Sequence, residues 1–133
     1  IAVSRGLGDV YKRQLIDSQD AVLGNPAYDL ASLIDDVRIK TSNSFKSNIL
    51  KVFLSKFKYK NESQFINDFE ILSVLRNLKI IGIFTRLAKR DKKRKYLKLI
   101  PYAWKLIDNR IKNNSNFHDL KNFLQKNPRI KKI

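Results

Sequence analysis

The sequence predicts a mainly α-helical fold, with at most a short strand remnant near the N-terminus. Two observations carry this prediction: apolar residues recur at three- and four-residue spacing through most of the chain, and helix punctuation separates one stripe from the next. Composition supplies the third. A chain of 133 residues with 43% hydrophobic and 30% charged residues fits one folded domain, and neither a disordered chain nor a membrane protein. The absence of cysteine excludes disulfide frameworks, thiol nucleophiles and zinc ribbons, and the single histidine, His118, excludes a multi-histidine metal centre.

The elements follow in order. Leu15-Ile16 reads as the end of a buried strand running into the polar turn Asp17-Ser18-Gln19-Asp20, and Ala21-Val22-Leu23 is a second short apolar run. Gly24-Asn25-Pro26 punctuates: glycine permits the turn, asparagine caps, and proline suits the first helical position. A helix is expected there, burying Ala27, Leu30, Ala31, Ile34 and Val37 and turning Asp35, Asp36 and Arg38 outward. After Ser42-Asn43-Ser44, the stripe Phe45, Ile49, Val52, Phe53 and Phe57 predicts an amphipathic helix whose basic outer face carries Lys46, Lys51, Lys56 and Lys58. Asn61 with Gln64 resembles a capping box opening a long helix toward Lys89. Residues 72–87 are apolar around most of the circumference, which predicts a central helix, and Gly82 suggests that another backbone passes close. Helical spacing resumes at Tyr96, Leu97, Ile100, Trp104, Ile107 and Ile111, with Pro101 either kinking that helix or opening a new one. A last short helix, capped by Asn116 and stopped by Pro128, uses Phe117, Leu120, Phe123 and Leu124, and the Lys/Asn-rich remainder reads as solvated.

Residues 1–14, IAVSRGLGDVYKRQ, show neither a helical stripe nor strand alternation, and resemble an adapter-derived peptide that recurs at the ends of conceptual translations. The expected organisation is therefore an artefactual or disordered segment 1–14, a partial domain 15–126 and a basic tail 127–133. The chain contains no methionine and is expected to be a C-terminal fragment of a longer protein.

Chemistry concentrates in residues 16–38, IDSQDAVLGNPAYDLASLIDDVR. An Asp at the exit of an apolar strand is held rigidly while the following turn leaves its oxygens open, an arrangement suited to Mg²⁺, which takes only one or two protein carboxylates in phosphoryl-transfer sites. Asp residues cap turns far more often than they bind metal, so spacing alone decides little. Arg76, Lys79 and Arg86 share one sector of the central helix, and charges there need partners or an opening onto water.

This stretch resembles the segment after the catalytic loop in aminoglycoside phosphotransferase-like kinases. Together with LRNLKIIGIFTRLAKRDKKRKYLKLIPYAWKLI it is similar, over residues 15–111, to the bacterial cell-wall amino-sugar kinases, which phosphorylate the anomeric hydroxyl of N-acetylmuramate or N-acetylglucosamine with ATP in peptidoglycan recycling. The resemblance implies the helical C-lobe of a protein-kinase-like fold, ATP and Mg²⁺ as cofactors, an amino sugar as substrate and a cytoplasmic location. It also implies roles: Asp17 as the Mg²⁺ ligand, Asp20 as its active-site neighbour, and Asp29 of PAYDLA as support for the catalytic loop. Ser18 departs from the aromatic residue usual in the family's IDFQDA form, which bears on local packing and not on the metal carboxylate. Arg76 and Lys79 are candidate substrate-binding residues, Arg76 through a bidentate grip on an anionic group; the alternative is a structural ion pair with an acid of a preceding helix. The nucleotide-binding lysine, the catalytic base and the second metal ligand that the resemblance requires are expected upstream of Leu15, so no catalytic residue is assigned and the isolated chain is expected to be inactive.

The rival reading is a small basic helical nucleic-acid-binding module. Residues 1–40 hold 5 basic and 6 acidic groups, whereas residues 41–133 hold 23 and 6, and RLAKRDKKRKYLK alone holds eight basic residues. Such charge attracts phosphate without selectivity. No zinc finger, ribonucleoprotein or basic-zipper pattern accompanies it, so no specific nucleic acid is expected as a partner. His118 reads as an exposed helix residue, and Trp104 with Tyr96, Tyr102 and Phe117 as packing. The stripe of residues 45–58 suits a buried core face as well as an anionic membrane, and no membrane partner is expected.

Overall fold

The computed structural model describes residues 23–112 and 114–132. The strand expected at Leu15-Ile16 and the turn carrying Asp17 and Asp20 lie outside the described residues, as do residues 1–14. Within them the fold is helical throughout: α1 (Ala27–Ile34), α2 (Asn43–Phe57), α3 (Glu62–Lys89), α4 (Ile100–Ile111) and α5 (His118–Lys126), with 3-10 segments at Arg94–Leu99, Ser115–Phe117 and Pro128–Lys131. No described helix is long and apolar enough to cross a membrane.

Helix α3 is the spine, about 42 Å long at 1.5 Å per residue. Asn61 caps it, accepting from Gln64 N at 2.9 Å, but the reciprocal half of the capping box is not made, because Gln64 Nε2 turns to Asp68 Oδ1 at 2.7 Å. The N-terminal half of α3 packs Phe65 and Phe69 against Ala27, Leu30, Ala31 and Ile34 of α1 and Leu54 of α2. From Val74 onward α3 packs Val74 and Ile81 against Ile100, Ala103, Trp104, Leu106, Ile107 and Ile111 of α4, with Phe117 and Leu124 closing the far side. Two apolar cores therefore share one helix. Gly82 departs from expectation: it is exposed, and a Cβ there would meet nothing within 4 Å, so no backbone passes close.

Pro101 opens α4 and does not kink it, since the preceding residues wind as a 3-10 segment that ends where α4 starts. Of the NNSN stretch, expected to be solvated, Asn114 and Asn116 are anchored. Asn114 Nδ2 donates to Glu70 Oε2 at 2.7 Å, Asn116 Nδ2 donates to Asn67 Oδ1 at 2.7 Å, and Asn114, not Asn116, provides the cap by accepting from Asn116 N. Pro128 does stop α5, but the residues after it return onto α4: Lys131 Nζ donates to Asp108 at 2.7 and 2.9 Å and lies 5.7 Å from the Trp104 ring centre, while Ile130 joins the core. Burying Ile130 and pairing Lys131 offsets the entropy of ordering this segment.

Helix α2 shows the largest departure from the apolar pattern. Phe45, Val52 and Phe57 are exposed, and the buried side of the helix carries Lys46 and Leu54, with Leu50 and Phe53 partly covered. The helix is rotated so that a lysine faces inward, for a reason found in α1.

Candidate functional site

Asn25 does what its position predicts. Its Oδ1 accepts from Ala27 N at 2.9 Å, its carbonyl accepts from Tyr28 N at 3.0 Å, and its Nδ2 donates to Asp68 Oδ2 at 2.8 Å, tying the turn to α3. Leu23, the first described residue, is exposed, and the turn that follows it is held to α3 by Asn25. Gly24, Asn25, Tyr28, Asp29 and Leu72 help line an open cleft of about 370 Å³ beside it. Asp29 sits exposed in the first turn of α1, where the helix dipole favours a carboxylate.

Arg76 and Lys79 stand elsewhere. Lys79 is exposed; Arg76 is partly buried, and its charge acts on Asp36, just past the C-terminal end of α1 and about 10 Å along that helix from Asp29. Arg76 Nη1 is buried with no hydrogen-bond partner among the described residues. Asp36, expected to point outward, is buried and is gripped by Arg38, with contacts of 2.6 Å from Nη2, 3.0 Å from Nε and 2.8 Å from the backbone N–H. The Arg38 hydrogen bonds hold the Asp36 carboxyl below its ordinary value against the opposing effect of burial, with a further contribution from the charge of Arg76.

The most heavily paired group is Asp35, also expected to face solvent and in fact 1% exposed. Lys46 Nζ of α2 donates to Oδ1 at 2.9 Å, Ser73 Oγ of α3 to Oδ2 at 2.6 Å, and Arg110 of α4 to both oxygens at 2.9 and 3.2 Å. Arg110 also lies over the Phe69 ring, its Cζ 4.8 Å from the centre. Burial is the largest single influence on Asp35 and pushes its carboxyl up. The hydrogen bonds and charge of Arg110, with the bonds from Lys46 and Ser73, outweigh it and leave the carboxyl below the ordinary value. One carboxylate at the end of α1 thus ties four helices together at the seam between the two cores.

Sequence reading missed these four residues, although each continues an apolar stripe by one helical step. Asp35 follows Ala27 and Ala31, Lys46 precedes Leu50 and Leu54, Ser73 follows Phe65 and Phe69, and Arg110 follows Ala103 and Leu106. Polar residues on buried stripes at compatible charge were the available signal.

Among the described residues no group of three or more His, Asp or Glu gathers as a metal site. No family model matches the chain. Three curated proteins do match, each an N-acetylmuramate/N-acetylglucosamine kinase. The one from Caulobacter vibrioides is 35% identical over 94 residues, covering 71% of this chain and 26% of the relative. The one from Neisseria meningitidis serogroup B is 36% identical over 93 residues, covering 65% and 28%. The one from Pseudomonas aeruginosa is 26% identical over 103 residues, covering 73% and 30%. The chain therefore spans between a quarter and a third of the length of the relatives it matches. Over most of its length, this helical chain is a homologue of the N-acetylmuramate/N-acetylglucosamine kinases.

Proposed function

We propose that the chain is the C-terminal part of the helical C-lobe of an ATP-dependent, aminoglycoside phosphotransferase-like kinase. That kinase phosphorylates the anomeric hydroxyl of N-acetylmuramate or N-acetylglucosamine in the cytoplasm, during peptidoglycan recycling. The observation that carries this is the match to three kinases of that name across 65–73% of the chain.

In this reading residues 15–126 form the partial C-lobe and Asp17 holds Mg²⁺, which offsets the charge of the nucleotide phosphates. Asp17 supplies a hard carboxylate oxygen of the kind that cation prefers. Asp20 lies beside it. Asp29, on the rim of the open cleft behind the Asn25 turn, accepts hydrogen bonds from the catalytic loop and fixes its position. Arg76, whose buried Nη1 has no hydrogen-bond partner among the described residues, meets an anionic group of the substrate, with Lys79 adding charge nearer solvent.

The nucleotide-binding lysine, the general base and the second metal ligand have no counterpart assigned in these 133 residues. Positioning supplies most of the catalysis in phosphoryl transfer, so a C-lobe alone does not turn over. Purified chain incubated with ATP, Mg²⁺ and either amino sugar is expected to form no sugar phosphate above an Asp17→Asn control. Turnover that the control lacks would refute the fragment reading. In a whole enzyme carrying this segment, Arg76→Ala is expected to raise the KM for the amino sugar, and unchanged KM and kcat would remove Arg76 from the substrate site.

A further inference from the structure

The Asp35 centre is not electrically balanced. One carboxylate meets two cations, Lys46 and Arg110, whose side chains are 6% and 20% exposed. Asp35 accepts four hydrogen bonds, which fills the lone-pair capacity of a carboxylate. Lys46 has three N–H donors and spends one there; Arg110 has five and spends two. The remaining donors have no acidic partner among the described residues. Lys46 and Arg110 line a cleft of about 310 Å³ together with Asn43, Ser47, Asn109 and Lys112 and the apolar Leu50 and Leu106, and the one acid lining it among the described residues is the saturated Asp35.

An excess positive charge held at low exposure, on two side chains that line one small cleft of mixed polarity and have donors to spare, is complementary to an anion whose oxygens accept several hydrogen bonds at once. We propose that this cleft, between the first turn of α2 and the last turn of α4, binds a small oxyanion, a phosphate or carboxylate group, across Lys46 and Arg110. The site lies at the opposite end of α1 from the Asn25 turn, about 15 Å along the helix direction. The chain carries a formal charge of +16, so phosphate accumulates weakly over its whole surface, and the site is recognised by saturation and location, not by binding as such.

The test is an amide-resolved NMR titration of the full chain with inorganic phosphate and, separately, with acetate, at ionic strength held constant with chloride. Saturable shifts clustered at Asn43, Ser47, Asn109 and Lys112 are expected with at least one of the two. Saturation by phosphate alone assigns a phosphoryl group, and by acetate alone or by both a carboxylate or a general oxyanion. Lys46 and Arg110 hold the fold together, so the variants are placed on the exposed rim: Asn109→Asp and Lys112→Glu are each expected to abolish the saturable component while leaving the helical circular dichroism unchanged. Shifts that stay linear with both anions, or spread equally over Lys89, Lys92 and Arg94, overturn the proposal. So does saturable binding that Asn109→Asp and Lys112→Glu leave intact.

Discussion

Replacing Asp35 by asparagine keeps the side chain's shape, removes its charge and turns one acceptor oxygen into an NH2 donor facing other donors. In the parent, that charge is 1% exposed and faces Lys46 and Arg110, so the substitution leaves two cations confronting each other, one almost wholly buried. Breaking a buried pair by deleting one partner costs about 3–5 kcal/mol, because the survivor keeps its desolvation penalty without compensation. For a chain of 133 residues this corresponds to a fall in Tm of about 10–20 °C. The opposite deletion gives the contrast. Lys46→Met leaves Asp35 with its two Arg110 bonds as a neutral pair, so only about 1.5–3 kcal/mol is expected, the scale of one charge-assisted hydrogen bond. Thermal and urea unfolding at pH 7, followed by circular dichroism, measures both. An Asp35→Asn chain within about 1 kcal/mol of the parent, or a Lys46→Met chain as damaged as Asp35→Asn, refutes the assignment of Asp35 as the shared counter-ion.

Other outcomes follow from the same structure. Asp35 and Asp36 both have folded-state pKa values below the ordinary one, so the unfolded chain takes up protons first as the pH falls. Their stabilisation is complete above about pH 4 and is lost as acid approaches the folded-state values, and the acid limb of a Tm-against-pH profile should flatten in Asp35→Asn. Phe69, wholly buried between α1 and α3, is expected to cost about 3–5 kcal/mol when cut to alanine, read from urea midpoints. Gly82→Ala, in an exposed mid-helix position with open space around a new Cβ, should stabilise by about 1 kcal/mol.

The helices were legible because their signals are local. The Asn25 and Asn61 caps, the stripe of α1 and the apolar girth of α3 all concern neighbours within one or two turns, and all four are present. The polar seam was not read because its partners are far apart in sequence: 11 residues separate Lys46 from Asp35, 38 separate Ser73, and 75 separate Arg110. The prior that charged residues face water sent Asp35, Asp36 and Lys46 outward. A net of pairings in space overrode it, and rotated α2 until Phe45 and Val52 were exposed. Tail anchoring was missed for the same reason, since Lys131 finds Asp108 only once α4 and α5 are folded. The family resemblance, resting on residues 15–111, agreed with the three kinase matches, because it used the order of motifs and not their packing.

The kinase reading is tested most directly by grafting. Residues 15–111 would replace the matching segment of the Caulobacter vibrioides relative, and transfer of phosphate from ATP to N-acetylmuramate and N-acetylglucosamine would be measured with and without Asp17→Asn. The graft is expected to phosphorylate an amino sugar at its anomeric hydroxyl, and Asp17→Asn to abolish that activity while leaving the fold intact. A graft that works equally well without the Asp17 carboxylate would contradict the account.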